Sequence, residues 1–423
     1  MKKISLTLLL SIITLSIFAQ KKEVKEAEKA LRKGMLNEAV DLIGKACRLK
    51  NQADAKTQAK IYYVKANIYR IKAQKTGDLK DYEKAINTYE KEIEFEKEKE
   101  IKKYAAKAKD SLNKIYPEVY DKVNKYVKAK DYKNALGFMK LVYQIQPNDD
   151  NLYTLTLLQL YANENEAAYK NLKKLYESGY TGIRDVYYVT EKKTGNEIQV
   201  ADPTQQKLLV SSGEYINPRK DKTKSRRPEI ITNMLYALNK LGRDDEAFQV
   251  IQKAKQEDPD NVDLIVGEAN YYLKKGEKEK FIQAMKKALE LEPENANFAY
   301  NIGVTYLNLK KYDEAEKYFD KTLELDPKNK NALYGLILVK LAPEKELVDK
   351  MNNEMNPKKW DALKARLNNV YRKALPYLEK YYREDPNEIT VVRTLRKIYN
   401  ELDMKDKYKA INEHYKKLKA QQN

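Results

Sequence analysis

The sequence predicts an all-α fold, an array of about seven to eight helical hairpins interrupted by one small β-hairpin-containing insert. Three observations lead there. Pro259, Pro293 and Pro327 recur every 34 residues, a period that suits a helix–turn–helix unit. An alanine stands twelve residues ahead of a proline at Ala135–Pro147, Ala247–Pro259, Ala315–Pro327 and Ala374–Pro386. Between these marks Lys and Glu mix along helical stretches, as in "EKEIEFEKEKEIKK", which is the composition of a solvated helix face.

The first residues, "MKKISLTLLLSIITLSIFAQKK", have the parts of a secretory leader: Lys2 and Lys3, an apolar run from Ile4 to Phe18, and the small residue Ala19. A membrane span needs about 20 apolar residues, so the shorter run predicts cleavage near Gln20 and export to the periplasm or the periplasmic face of the outer membrane. No cysteine follows it to carry a lipid. Cys47 is the only cysteine and His414 the only histidine, so an intrachain disulfide is excluded and a His- or thiolate-based metal site is not expected. Lys and Arg number 82 against 63 Asp and Glu; losing Lys2 and Lys3 with the leader lowers the formal charge from +19 to +17. In an exported chain this balance points to anionic envelope surfaces or protein partners rather than nucleic acid.

Taken in order, residues 20–178 read as an N-terminal helical array. "LNEAVDLIGKACRL" has Ala39 and Ala46 seven apart. "AKIYYVKANIYRIKA" precedes "YEKAINTYEKEIEFE", with a longer connecting loop than the other units. "DYKNALGFMKLVYQIQP" reads as a second helix. Residues 179–227 break the pattern: "VYYVTEKKTGNEIQV" is a hairpin signal, "QQKLLVSS" is open between helix and strand, and "NPRKDKTKSRR" reads as a basic loop. Residues 228–340 are the regular array, and 341–423 hold a Pro-containing break at 341–361, the second helix "KALPYLEKYYREDP" and a final capping helix with Tyr408, Ile411 and Tyr415 on one side.

Residues 296–327 carry Gly303, Tyr306, Ala315, Phe319 and Pro327. The preceding unit has Ala269, Tyr272, Phe281, Ala288 and Pro293. In these the sequence resembles the tetratricopeptide repeat (TPR) family, and the whole layout resembles signal-bearing TPR proteins of Bacteroidota. The resemblance implies a right-handed superhelix in which small residues sit where helices cross, Tyr and Phe fill the seams, and the proline ends the second helix. Asp313 and Glu314 then open a helix, where their charge meets the positive end of its dipole.

The resemblance also implies a groove lined by the first helix of each unit, with Tyr236, Asn270, Asn297, Tyr300, Asn301, Asn331 and Tyr334 as candidate peptide-binding residues. An Asn amide can pair with a peptide's N–H and C=O together, and Tyr offers apolar area with a polar tip. The family's carboxylate clamp places Asn where Asn270 and Asn301 stand, but Val266, Asn331 and Gly335 replace its basic residues, which argues against gripping a C-terminal carboxylate. Arg219, Lys220, Lys222, Lys224, Arg226 and Arg227 form a second candidate, a docking loop for an anionic partner. No cofactor is implied. Three readings remain: a non-catalytic scaffold in an envelope assembly, secretion or transport system, a chaperone-like binder of extended polypeptides, and an enzyme whose site is in the insert.

Overall fold

The computed structural model describes residues 20–421, so the leader-like segment 1–19 lies outside the described residues. The chain divides into two compact units, on either side of the Arg243–Asp244 bond. No described helix is long and apolar enough to cross a membrane.

The first unit opens with α1 (residues 20–32), α2 (Leu36–Arg48) and α3 (Ala55–Thr76), joined through Val24, Ala27, Ala39, Ile43 and Ile61. Helix α4 (Leu79–Glu98) packs along α3, α5 (Ala105–Lys128) along α6 (Tyr132–Ile145), and α7 (Asp149–Tyr161) along α8 (Asn165–Glu177). The long loop expected between α3 and α4 is absent. Helix α3 instead runs for 22 residues and α4 for 20, with only Gly77 and Asp78 between them. Gly77 ends α3 at φ +70°, and the Asp78 side chain accepts from the N–H groups of Lys80 and Asp81, so the turn is closed from both sides.

After α8 the chain forms an antiparallel sheet of order β2-β1-β3, from β1 (Asp185–Glu191), β2 (Glu197–Val200) and β3 (Tyr215–Lys222). Helix α9 (Pro203–Ser211) packs on it, started by Pro203 and by Asp202, whose side chain accepts from Thr204 and Gln205. That resolves "QQKLLVSS" as helix. The basic segment corrects the sequence reading more sharply: residues 215–222 are a strand, not a loop. Their partners are residues 185–191, more than twenty positions earlier, with Lys222 opposite Asp185 and Arg219 opposite Tyr188. Such non-local pairing outweighs a composition poor in β-formers. Helix α10 (Arg227–Lys240) then packs on α8, so the sheet is an excursion between two touching helices.

The second unit contains α11 (Asp244–Glu257), α12 (Val262–Lys274), α13 (Lys278–Leu291), α14 (Ala296–Asn308), α15 (Tyr312–Leu325) and α16 (Lys330–Leu341), each packed on the next. Short α17 (Glu344–Asn352) precedes α18 (Pro357–Glu384), and α19 (Ile389–Glu401) with α20 (Lys405–Ala420) completes the unit. The segment "KALPYLEKYYREDP" is not a separate helix but the last half of α18, which spans 28 residues. Pro376 is exposed within it, so the carbonyl it leaves unbonded faces water. His414 on α20 pairs through Nδ1 with the Tyr382 hydroxyl at 2.7 Å.

The prolines of the period stand two residues past a helix. Ahead of Pro147, Pro293, Pro327 and Pro386 the chain has left the helical region: Gln146 (φ −132°, ψ 87°), Glu292 (φ −124°, ψ 75°), Asp326 (φ −132°, ψ 86°) and Asp385 (φ −145°, ψ 85°). Proline forces this on its predecessor by steric clash. Two residues further on, Asn261, Asn295 and Asn329 cap the next helix by accepting from the N–H groups of Leu264, Asn297 and Ala332. The turn within a hairpin has its own rule. Lys130, Asn163, Gly276, Lys310 and Asp403 take φ of 57°, 61°, 76°, 57° and 55°. In the α14–α15 turn Lys310 donates to the Leu307 carbonyl at 2.9 Å and Lys311 to that of Tyr306 at 3.0 Å, which closes the helix end.

Candidate binding site

On α14, Asn297, Tyr300 and Asn301 stand at i, i+3 and i+4, and therefore share a face. The opposite side carries the burial, with Ala299, Ile302, Gly303 and Tyr306 in the core. Both asparagines are exposed. Helix α16 touches α14 and repeats the arrangement 34 residues on, with Asn331 exposed and Tyr334 half-buried. Asn270 is exposed on α12. No described side chain hydrogen-bonds the amides of Asn270, Asn297, Asn301 or Asn331, which leaves both donors and acceptor of each for solvent or a ligand.

The tyrosines behave differently. Tyr300 leans on Phe319, centroids 6.0 Å apart, and Tyr334 meets Tyr381 edge-on at 6.1 Å. Each is partly committed to a helix seam. Tyr236, 45% exposed, lies on α10 in the first unit, while the other six candidates belong to the second. Sequence reasoning missed Leu338. It lies four residues after Tyr334 and seven after Asn331, on their face of α16, and is 41% exposed. That heptad spacing was the available signal.

Gly335, which stands at a basic position of the carboxylate clamp, is buried. A Cβ there would lie 2.5 Å from Phe319 Cζ, so the seam has no room for a long cationic side chain. The clamp is ruled out here by packing as well as by residue type.

The six basic residues do not form one surface. Arg219 and Lys220 point to opposite faces of β3. Arg219 lies over the Tyr188 ring and is bound by Glu197 and Asp221, each at 2.8 Å. The Glu197 carboxylate in particular holds its guanidinium charged. Lys220 pairs with Asp185 at 2.8 Å, which raises its pKa. Arg226 lies over Tyr153, and Arg227 lies over Tyr176 while donating to the Tyr176 carbonyl at 3.2 Å. Lys222 and Lys224 remain exposed.

Arg226 and Arg227 instead belong to a stem. Residues 181–184 and 223–226 run side by side, with Thr223 donating to the Arg184 carbonyl at 2.9 Å and Arg226 to that of Thr181 at 2.7 Å. The Tyr153 hydroxyl donates to Glu229 at 2.7 Å, and that of Tyr180 donates to Asp150. Burial, then the Asp150 bond, pushes the Tyr180 phenol up to about 12. These contacts tie the insert to α7, α8 and α10.

Tetratricopeptide repeat models match residues 263–295 and 296–329, the stretches that hold α12–α13 and α14–α15. No curated protein matches the chain in sequence. Among solved structures, the C-terminal part of a TPR repeat-containing protein from Cytophaga hutchinsonii is similar at 17% identity, over 70% of this chain and 93% of that one, with a TM-score of 0.44. MamA from Desulfovibrio magneticus is similar at 17% identity, over 45% of this chain and 93% of that one, with a TM-score of 0.32. YrrB, described as a TPR protein with an unusual peptide-binding site, is similar at 14% identity, over 50% of this chain and 87% of that one, with a TM-score of 0.33.

Proposed function

We propose that this tetratricopeptide-repeat protein is a non-catalytic scaffold that holds an extended segment of a partner protein against α12, α14 and α16. The observation that carries the reading is the recurrence of exposed, internally unbonded Asn amides on the first helices of consecutive units, at Asn297 and Asn331 with Asn270 and Asn301 beside them. Amides at such sites bridge a peptide's N–H and C=O without reading its side chains, and Tyr300, Tyr334 and Leu338 add apolar area. Backbone pairing of this kind is tolerant of sequence, so affinity at this surface alone is modest.

Crosslinking in native cells followed by mass spectrometry identifies the partner. The Asn301→Ala, Asn331→Ala double variant, shown to be folded by circular dichroism, should bind that partner more weakly by about 0.5–1.5 kcal/mol for each lost neutral hydrogen bond. A folded double variant that binds as tightly as wild type refutes the surface. The leader-like residues 1–19 support the accompanying proposal that the scaffold works in the cell envelope, in assembly, secretion or transport. N-terminal sequencing of the mature protein from a periplasmic and an outer-membrane fraction tests it.

A further inference from the structure

Where the repeat pattern breaks, in the second unit, α17 and the start of α18 enclose a cleft of about 940 Å³ against the α14–α15 turn. It is a different surface from the asparagine faces and does not depend on them. Its charges are unbalanced. Lys310, Lys345, Lys359 and Arg366 line it, all four are exposed, and no described carboxylate lies within ion-pair distance of any of them. Of its three acids, Glu346 is engaged by Lys350, and Glu354 accepts from the Asn356 N–H at 2.9 Å. Glu354 keeps its charge, so two carboxylates, Asp349 and Glu354, face four cations.

The corresponding turn in the first unit carries a smaller excess, with Lys130, Lys133 and Lys140 against Asp131 and Glu164. Lys130 and Tyr132 there stand as Lys310 and Tyr312 do here, and Lys130 and Lys310 share φ +57°. The cleft beside Lys130 is smaller, about 620 Å³. Tyr161 stacks on Tyr132 at 4.5 Å, and Glu164 pairs with Lys140 at 3.2 Å. Around Lys310 the equivalent pair is Lys350 with Glu346, which leaves the other four cations outside it.

We infer that this cleft docks an acidic polypeptide segment, its carboxylates meeting Lys310, Lys345, Lys359 and Arg366. The cations are spread over a turn and two helices, which suits several charges along a chain rather than one compact anion. Tyr312 and Leu363 supply apolar area between them. The cations line a recess that also contains acids, whereas a bilayer needs a projecting basic face.

Trp360, the only tryptophan of the chain, reports on the site. It is 39% exposed and one turn from Leu363, on the helix that carries Lys359 and Arg366. The probe is a synthetic ten-residue poly-Glu peptide titrated into the full chain at low salt, read by Trp360 emission and by calorimetry. Saturable binding is expected, weakened about fivefold in the Lys345→Gln, Arg366→Gln double variant and lost at high salt. The Asn301→Ala, Asn331→Ala variant should bind the peptide as wild type does, which separates this site from the asparagine surface. Both replaced cations are exposed, and an unchanged melting curve confirms that the variant is folded. Absence of binding by both readouts overturns the inference, as does equal affinity in wild type and the Lys345/Arg366 variant. Equally tight binding of inorganic phosphate reassigns the cleft to a small anion. Variant-sensitive binding to phosphatidylglycerol vesicles without peptide binding reassigns it to a membrane surface.

Discussion

The ring of Phe319 lies against Gly335 so closely that a Cβ on that glycine would sit 2.5 Å from Cζ. A Cβ at Gly303 would likewise come within 2.9 Å of Cδ1. Phe319 is fully buried. Gly335→Ala should therefore lower the unfolding midpoint, with overpacking of about 1–3 kcal/mol exceeding the gain of about 1 kcal/mol in helix propensity. Gly44→Ala in α2 supplies the contrast, since nothing lies within 4 Å of the added methyl. Chemical denaturation should show that variant to be more stable than wild type.

Asn329 and Asn331 are two residues apart and should separate cleanly by experiment. Asn329 caps α16 by accepting from the Ala332 N–H at 3.0 Å, so Asn329→Ala should lose about 1 kcal/mol of stability. Asn331→Ala should leave the melting temperature in place and weaken partner binding. Thermal unfolding alongside an affinity measurement on both variants checks the division.

Glu92 is fully buried on α4, and neither of its carboxylate oxygens meets a described hydrogen-bond donor. Burial, then the neighbouring Glu96 charge, raises its pKa to about 8. Glu96 is itself held ionised by the N–H groups of Lys103, Tyr104 and Ala105. From about pH 4.5 to about 8 the unfolded chain has released the Glu92 proton while the folded chain retains it. Stability should fall as pH rises through that window. Glu92→Gln should flatten the fall, by an amount on the order of a few kcal/mol, in denaturant midpoints compared at pH 5 and pH 9.

The stem of the insert predicts a localised failure. Arg226→Ala removes the guanidinium from over the Tyr153 ring, 4.7 Å from its centroid, and from the Tyr180 hydroxyl at 3.4 Å. Limited proteolysis should then cut between residues 181 and 226 sooner than in wild type, while far-ultraviolet circular dichroism stays helical.

Proline made the repeat legible, because it cannot sit in a helix interior without removing a bond, and its spacing is therefore printed in the sequence. The exposed asparagines were legible for a related reason: a polar residue at a fixed place in each unit has to face water. Strand β3 was not. "NPRKDKTKSRR" has the composition of a loop, and only its ladder with β1 makes residues 215–222 extended. The same holds for the cation cleft, whose four basic residues lie as far as 56 positions apart and meet only because α17 is short. Leu338 was hidden among the buried Leu333, Leu336 and Ile337 of its own helix.

The joints between hairpins are written in a few consecutive letters. In "DPKNK" the proline keeps Asp326 behind it out of the helix and Asn329 caps the helix ahead. Each unit thus carries its own start and its own stop. A stretch copied whole would bring both with it, and its neighbours would need no compensating change at the seam. An array punctuated this way can lengthen or shorten by duplication and deletion of entire units. Its length is then free to follow the size of whatever it holds, on an evolutionary rather than a conformational timescale.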